Sequence, residues 1–112
     1  MTEGGCGWLG AVLKIRKKEH DDGMKAIEAA FAGHKSMKIV TVVDEDIDIT
    51  DPVRVEWAMM TRWQPDKDTL ILKDQRGSSL DPSRYEDGRT SKIGYDATID
   101  FGVDRSGFMS VQ

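Results

Sequence analysis

MKIVTVVDEDIDITDP, residues 37–52, decides the fold. Ile39, Val40, Thr41, Val42 and Val43 form a short, β-branched and nearly all apolar run, as a strand covered on both faces must. Such a strand lies in the middle of a sheet with parallel neighbours, and helices flank it. Asp44, Glu45, Asp46 and Asp48 follow at its carboxyl end. Thr50, Asp51 and Pro52 then supply caps and a first-turn proline for a helix.

On that helix Val53, Trp57 and Met60 share one face, while Arg54 and Arg62 are expected to reach water, and Gln64, Pro65 and Asp66 end it. Thr69 to Leu72 predicts another short strand, 75–88 a polar loop, and Ile93 to Ile99 a last β-prone segment. Upstream, Gly4, Gly5 and Gly7 surround Cys6 before the apolar stretch Trp8 to Ile15, a buried strand that ends in the basic run Arg16 to Lys18. Asp21 and Asp22 open a helix whose stripe is Met24, Ile27, Ala30 and Phe31, and Gly33 closes it. Strands alternating with helices predict one α/β domain over residues 1–112, a layered domain with a mixed, largely parallel sheet flanked by helices.

With 112 residues the chain suffices for a single core. A net charge of -4 repels phosphate backbones, so nucleic acid is not an expected partner. No apolar run approaches the roughly 20 residues that span a membrane, and no signal-peptide pattern opens the chain, so a cytoplasmic protein is expected. The single cysteine, Cys6, excludes an internal disulfide and lacks a neighbouring base, which makes it structural.

The acidic cluster stands where α/β sheets place ligands, and crowded carboxylates favour cations such as magnesium. The competing role, which we weight more heavily, is to bond loop amides and favour the positive end of the next helix. The strand-then-acids order also resembles the pocket of receiver domains, but there the acids end the first strand, and here they follow the second. His20 and His34 stand 14 residues apart without carboxylates at ligand spacing, so His34 is read as a helix-end contact. Arg76-Gly77-Ser78-Ser79 offers amides and hydroxyls to a phosphate without the spacing of a P-loop. Trp57, Met59, Met60 and Trp63 are expected in the core or in an interface.

Three separated strings agree in order and spacing with one family. HKSMKIVTVVDEDIDITDPVRVEWAMMTRWQPDKDTLIL (34–72), QRGSSLDPS (75–83) and SKIGYDAT (91–98) resemble the UbiD family of decarboxylases, and Glu3 to Gly7 with Ala11 to Lys17 resemble the start of that family's carboxy-terminal domain. The resemblance implies reversible decarboxylation of unsaturated or aromatic acids with prenylated FMN, a manganese or magnesium ion and a monovalent cation. The family's catalytic and metal-binding residues lie in the preceding domain and have no counterpart here, so this chain supplies no catalytic residue and no metal ligand. By itself it is expected to bind neither prenylated FMN nor FMN and to be inactive. Some members place a lysine of this domain near the flavin. Lys35 is the best match, with Lys38 or Lys92 as alternatives and a solvated surface role for each still open. Phe101 to Gln112 lacks the long helix that promotes higher assembly in some members.

The expected role is therefore a small subunit, or a separate module, that docks on a UbiD-like catalytic subunit or domain, completes its active-site cleft and enters a homo- or hetero-oligomer. Met1 followed directly by Thr2 and Glu3 motivates the subunit version. The alternative is an orphan small-ligand or protein-binding module that keeps the fold without decarboxylase function, and a third reading is a cut fragment of one long enzyme.

Overall fold

The computed structural model describes residues 9–108. Strand β1 (Gly10–Ile15) leads through helix α1 (Asp22–Gly33) to β2 (Ile39–Asp44). Helix α2 (Pro52–Arg62) follows, then β3 (Thr69–Arg76), β4 (Arg89–Ala97) and a last 3-10 turn over Ser106–Phe108. The sheet order is β1-β2-β4-β3. β1 and β4 both pair parallel with β2, and β3 closes the other edge antiparallel to β4. β2 is thus internal and parallel on both sides, as its β-branched run requires. The mixed, largely parallel sheet flanked by helices is present.

Side chains alternate between the two faces of the sheet. Ala11 and Leu13 of β1 and Val40 and Val42 of β2 meet Ile27, Ala30 and Phe31 of α1, with Met37 completing that layer. Val43, Ile47, Ile49, Ala58 and Ala97 form a second cluster, against which Val12, Val55, Trp57, Met59 and Trp63 pack. Val40, Val42 and Val43 are wholly removed from water, each worth ~1.5–3 kcal/mol by transfer.

Two expectations fail. The exposed face of α2 carries Val53 and Met60, each 74% exposed, while Arg62, expected in water, is buried at 5%. The inward line of α2 is Val55, Ala58 and Arg62, because the loop after β2 supplies carboxylates for the guanidinium. β3 also runs four residues beyond Leu72, to Arg76. Its register shifts between Leu72 and Gln75, where Asp74 takes φ 57°, and pairing resumes at Gln75 with Thr90. The bulge carries the strand through a polar segment that lacks strand character in sequence. β4 begins at Arg89, earlier than Ile93, for the same reason. The glycines around Cys6, Cys6 itself, Trp8 and residues 109–112 lie outside the described residues.

Gly94 of β4 lies under α1, and a Cβ there would stand 2.2 Å from Ile27 Cγ2. Gly94→Ala is expected to cost about 1–3 kcal/mol by overpacking, measured by urea unfolding. In the Gly94→Ala/Ile27→Ala double variant the losses should be less than additive, since the clashing methyl is gone.

Candidate functional site

The carboxyl ends of the parallel strands are occupied by a buried ionic cluster. Arg62 at the last turn of α2 donates from Nη1 to Asp44 Oδ2 and Asp46 Oδ1 and from Nη2 to Asp46 Oδ2, each at 2.9 Å. Its Nη2 also donates to the Phe108 carbonyl at 2.8 Å, and Asp44 Oδ2 accepts the Ile99 amide at 3.0 Å. The guanidinium lies 5.1 Å from the Trp57 ring centroid. Burial pushes the Asp44 carboxyl up in spite of the Ile99 amide and Arg62, whereas the Arg62 hydrogen bonds hold Asp46 down. Of the rest of the acidic run, Glu45 faces Arg16 at 3.8 Å in an exposed pair, and the others serve the loop and helix. Asp48 accepts the Thr50 amide and hydroxyl, and Asp51, not Thr50, caps α2 by accepting the Val53 amide at 3.0 Å, a contact worth ~1 kcal/mol. These acids converge on Arg62 and on backbone amides rather than on a common point.

The three lysines singled out by resemblance, two of them neighbours in sequence and Lys92 distant, meet at the opposite, amino edge. Lys92 of β4 is 5% exposed and donates from Nζ to the Lys35 carbonyl at 2.5 Å. Its ammonium sits 5.7 Å from the Phe31 ring centroid, beside the carboxyl end of α1. Ring and helix end offset part of the cost of burying a cation that has no carboxylate partner among the described residues. Burial holds the Lys92 ammonium below its ordinary value, and the charge of Lys35 adds to this. Lys38 bridges the strands through its backbone, to Leu9 and Ile93, and its Nζ reaches Asp81 Oδ2 at 2.9 Å and Ser83 Oγ at 2.6 Å. The Lys35 side chain is exposed. The solvated role expected for any one lysine fails for Lys92, because its register on β4 points it under α1.

Beside these lysines the 77–88 loop closes on itself. The Gly77 amide donates to the Gly88 carbonyl at 2.8 Å, and a Cβ at Gly77 would stand 2.7 Å from that oxygen. Gly88 takes φ 85°, the left-handed region. Between this neck and Ser36 lies a groove of about 680 Å³ whose lining includes Arg76, Ser78, Ser79, Arg84 and Arg89. Sequence reasoning noticed Arg76 to Ser79 and missed Arg84 and Arg89, which only the loop closure brings beside them.

Other expectations are placed as follows. His34 takes the carboxyl-cap position of α1, its amide donating to the Ala30 carbonyl. Asp21 stands at the amino cap without a side-chain capping bond, while Asp22 accepts the amides of Lys18 and Glu19. Glu19, Asp21 and Asp22 are the acidic group with metal-like spacing among the described residues; the amides occupy Asp22, and Lys25 pairs with Glu19 and Asp21. Trp63 is half-buried, crossing Tyr95 edge-on at 5.2 Å and donating to Thr69 Oγ1 at 3.0 Å. Met60 stays exposed. No helix among the described residues is long and apolar enough to cross a membrane.

Residues 1–97 match the family model described as the 3-octaprenyl-4-hydroxybenzoate carboxy-lyase C-terminal domain. The anhydromevalonate phosphate decarboxylase of Methanothermobacter thermautotrophicus is 53% identical over 98 residues, 88% of this chain and 23% of that protein. The gallate decarboxylase of Lactiplantibacillus plantarum is 37% identical over 123 residues, 96% of this chain and 25% of that protein. The structure of the UbiD-class enzyme HmfF from Pelotomaculum thermopropionicum in complex with FMN superposes with a TM-score of 0.87 at 42% identity, covering 93% of this chain and 23% of that one. The chain thus spans about a quarter of the length of the proteins it matches.

The Asp81 carboxyl is lowered from 3.8 to about 2, first by the Ser83 hydroxyl and then by Lys38. A carboxyl held below its unfolded value favours the folded state above pH 3.8, and that contribution fades as the pH falls through about 2. A carbon-detected NMR titration should find the Asp81 midpoint near 2, and Lys38→Met should move it upward. An unmoved midpoint contradicts the ion pair.

Proposed function

Since this chain belongs to the UbiD family as its carboxy-terminal domain, we propose that it serves a UbiD-type decarboxylase dependent on prenylated FMN, docking on the catalytic partner to complete its active-site cleft and oligomer interface. The observation that carries this reading is the convergence of Lys35, Lys38 and Lys92 on one edge of the sheet, beside an arginine-lined groove. That edge faces the cleft. At the opposite edge the Arg62 cluster is matched within the domain, and the cavity beside it, between Arg16, Lys17, Glu45 and Arg105, is smaller, at about 240 Å³.

Bound in the assembled enzyme, prenylated FMN supplies the electron sink for loss of carbon dioxide. The residues of this chain fit its phosphate end. Lys35 is the exposed ammonium and reaches toward the cleft, while Lys92 holds the backbone carbonyl that carries it and Lys38 ties the neighbouring loop through Ser83. They do not fit the metal, whose ligands come from the partner domain. This chain therefore positions a cation, closes the cleft against water and leaves proton transfer to the partner. The substrate is an unsaturated acid, a reading supported by the name of the 53%-identical relative. Met60 and Val53, on the uncovered face of α2, supply apolar contacts for assembly.

Coexpression of the tagged chain with the untagged UbiD-type catalytic subunit of the same organism tests this reading. The expected result is copurification of a complex with flavin absorbance, whereas the chain alone carries none at micromolar FMN. Lys35→Met should weaken flavin retention by the complex without unfolding the chain, and Met60→Glu should reduce assembly in sedimentation. A chain that ignores the partner, or that binds FMN tightly alone, contradicts it.

A further inference from the structure

Beyond its place beside the docking edge, the groove at the neck of the 77–88 loop has a charge pattern that points to a ligand of its own. Arg76 and Arg89 are direct register partners across β3 and β4, and like charges placed opposite each other destabilise a sheet. Arg89 is relieved by Asp87, which accepts its Nε at 2.9 Å, and more weakly by Asp74 at 3.9 Å. Arg76 and Arg84 form no ion pair among the described residues. Three guanidinium groups thus line one groove with a single carboxylate, in a chain whose net charge is -4. The amides of Ser78 and Ser79 are spent on no bond within the loop, and the Ser78 hydroxyl lies beside them, accepting the Leu80 amide. The Gly77–Gly88 contact fixes the neck, so the ends of β3 and β4 present Arg76 and Arg89 together.

Planar guanidinium groups and free amides around a groove of about 680 Å³ match a tetrahedral dianion with several acceptor oxygens. Resting on the decarboxylase reading for the enzyme it serves, we propose that this groove binds the phosphate monoester end of a small phosphorylated acid and so selects phosphorylated substrates. The phosphate relieves the Arg76–Arg89 repulsion and takes the unpaired Arg84. The printed name of the 53%-identical relative includes a phosphorylated acid, which agrees with that ligand class. The phosphate of FMN is the other source of the same chemistry, and the test separates the two.

The full 112-residue chain is titrated with glycerol 3-phosphate, inorganic phosphate and FMN at fixed ionic strength, and amide shifts are followed by NMR. Saturable shifts at Gly77, Ser78, Ser79 and Gly88 with glycerol 3-phosphate are expected. Arg76→Gln/Arg84→Gln should weaken binding at least about tenfold, as loss of one charge-assisted hydrogen bond does. Arg16→Gln, at the opposite edge, should leave it unchanged, and the spectrum of each variant reports its fold. Non-saturating shifts, shifts that persist in the double variant, or a response to FMN with none to glycerol 3-phosphate would overturn the proposal. Phosphate binding by a chain that fails to copurify with a catalytic subunit sinks the docking reading and leaves the groove standing. Copurification without phosphate binding does the reverse.

Discussion

The Arg62 guanidinium, held between Asp44 and Asp46, is the interaction on which the rest of this domain depends. It joins the end of β2 to the end of α2, and through the Phe108 carbonyl and the Asp44–Ile99 contact it also holds the chain that leaves β4. The Arg62 side chain has no exposure and Asp44 only 3%, so each ion needs the other. Removing one partner of such a buried pair typically costs about 3–5 kcal/mol, chiefly because the remaining charge is stranded. Arg62 Nε has no hydrogen-bond partner among the described residues, and the Trp57 face offsets part of that deficit. The cluster secures geometry at the cost of desolvating charge.

That arrangement divides the sheet into two ends with different work. Ligands of open α/β sheets usually meet the carboxyl ends of the strands. Here Asp44 and Asp46 serve Arg62, Asp51 caps α2, and a cavity of about 240 Å³ lies beside them between Arg16, Lys17, Glu45 and Arg105. At the other end the cations gather, with Lys92 buried against Phe31 and the carboxyl end of α1, and Lys38 tying the 77–88 loop to β2 through Asp81 and Ser83. The Arg62 cluster is thus satisfied internally, whereas at the other end Arg76 and Arg84 form no ion pair among the described residues.

Much of this was legible in the sequence, for identifiable reasons. The β-branched run Ile39 to Val43 announces a strand covered on both faces because burial on both sides removes polar alternation. The α1 stripe is equally plain, since Ile27, Ala30 and Phe31 follow helical spacing and are all buried. The inward face of α2 was misread because apolar periodicity gives an arginine to water, and nothing local shows that Asp44 and Asp46 curl back to meet it. β3 was cut short because Lys73 to Arg76 is polar and passes through a bulge. Lys35, Lys38 and Lys92 could be suspected singly from resemblance, but their convergence needs the parallel pairing of β2 with β4. Arg76, Arg84 and Arg89 look like scattered loop charges until the Gly77–Gly88 neck closes.

On the proposed reading the amino edge of the sheet faces a catalytic partner. Hydrogen–deuterium exchange of the chain with and without a UbiD-type catalytic subunit tests it most directly. New protection is expected over residues 34–38 and 77–89, with the 44–50 loop unchanged. Protection confined to residues 16–18 and 44–50, or no protection anywhere, would contradict it.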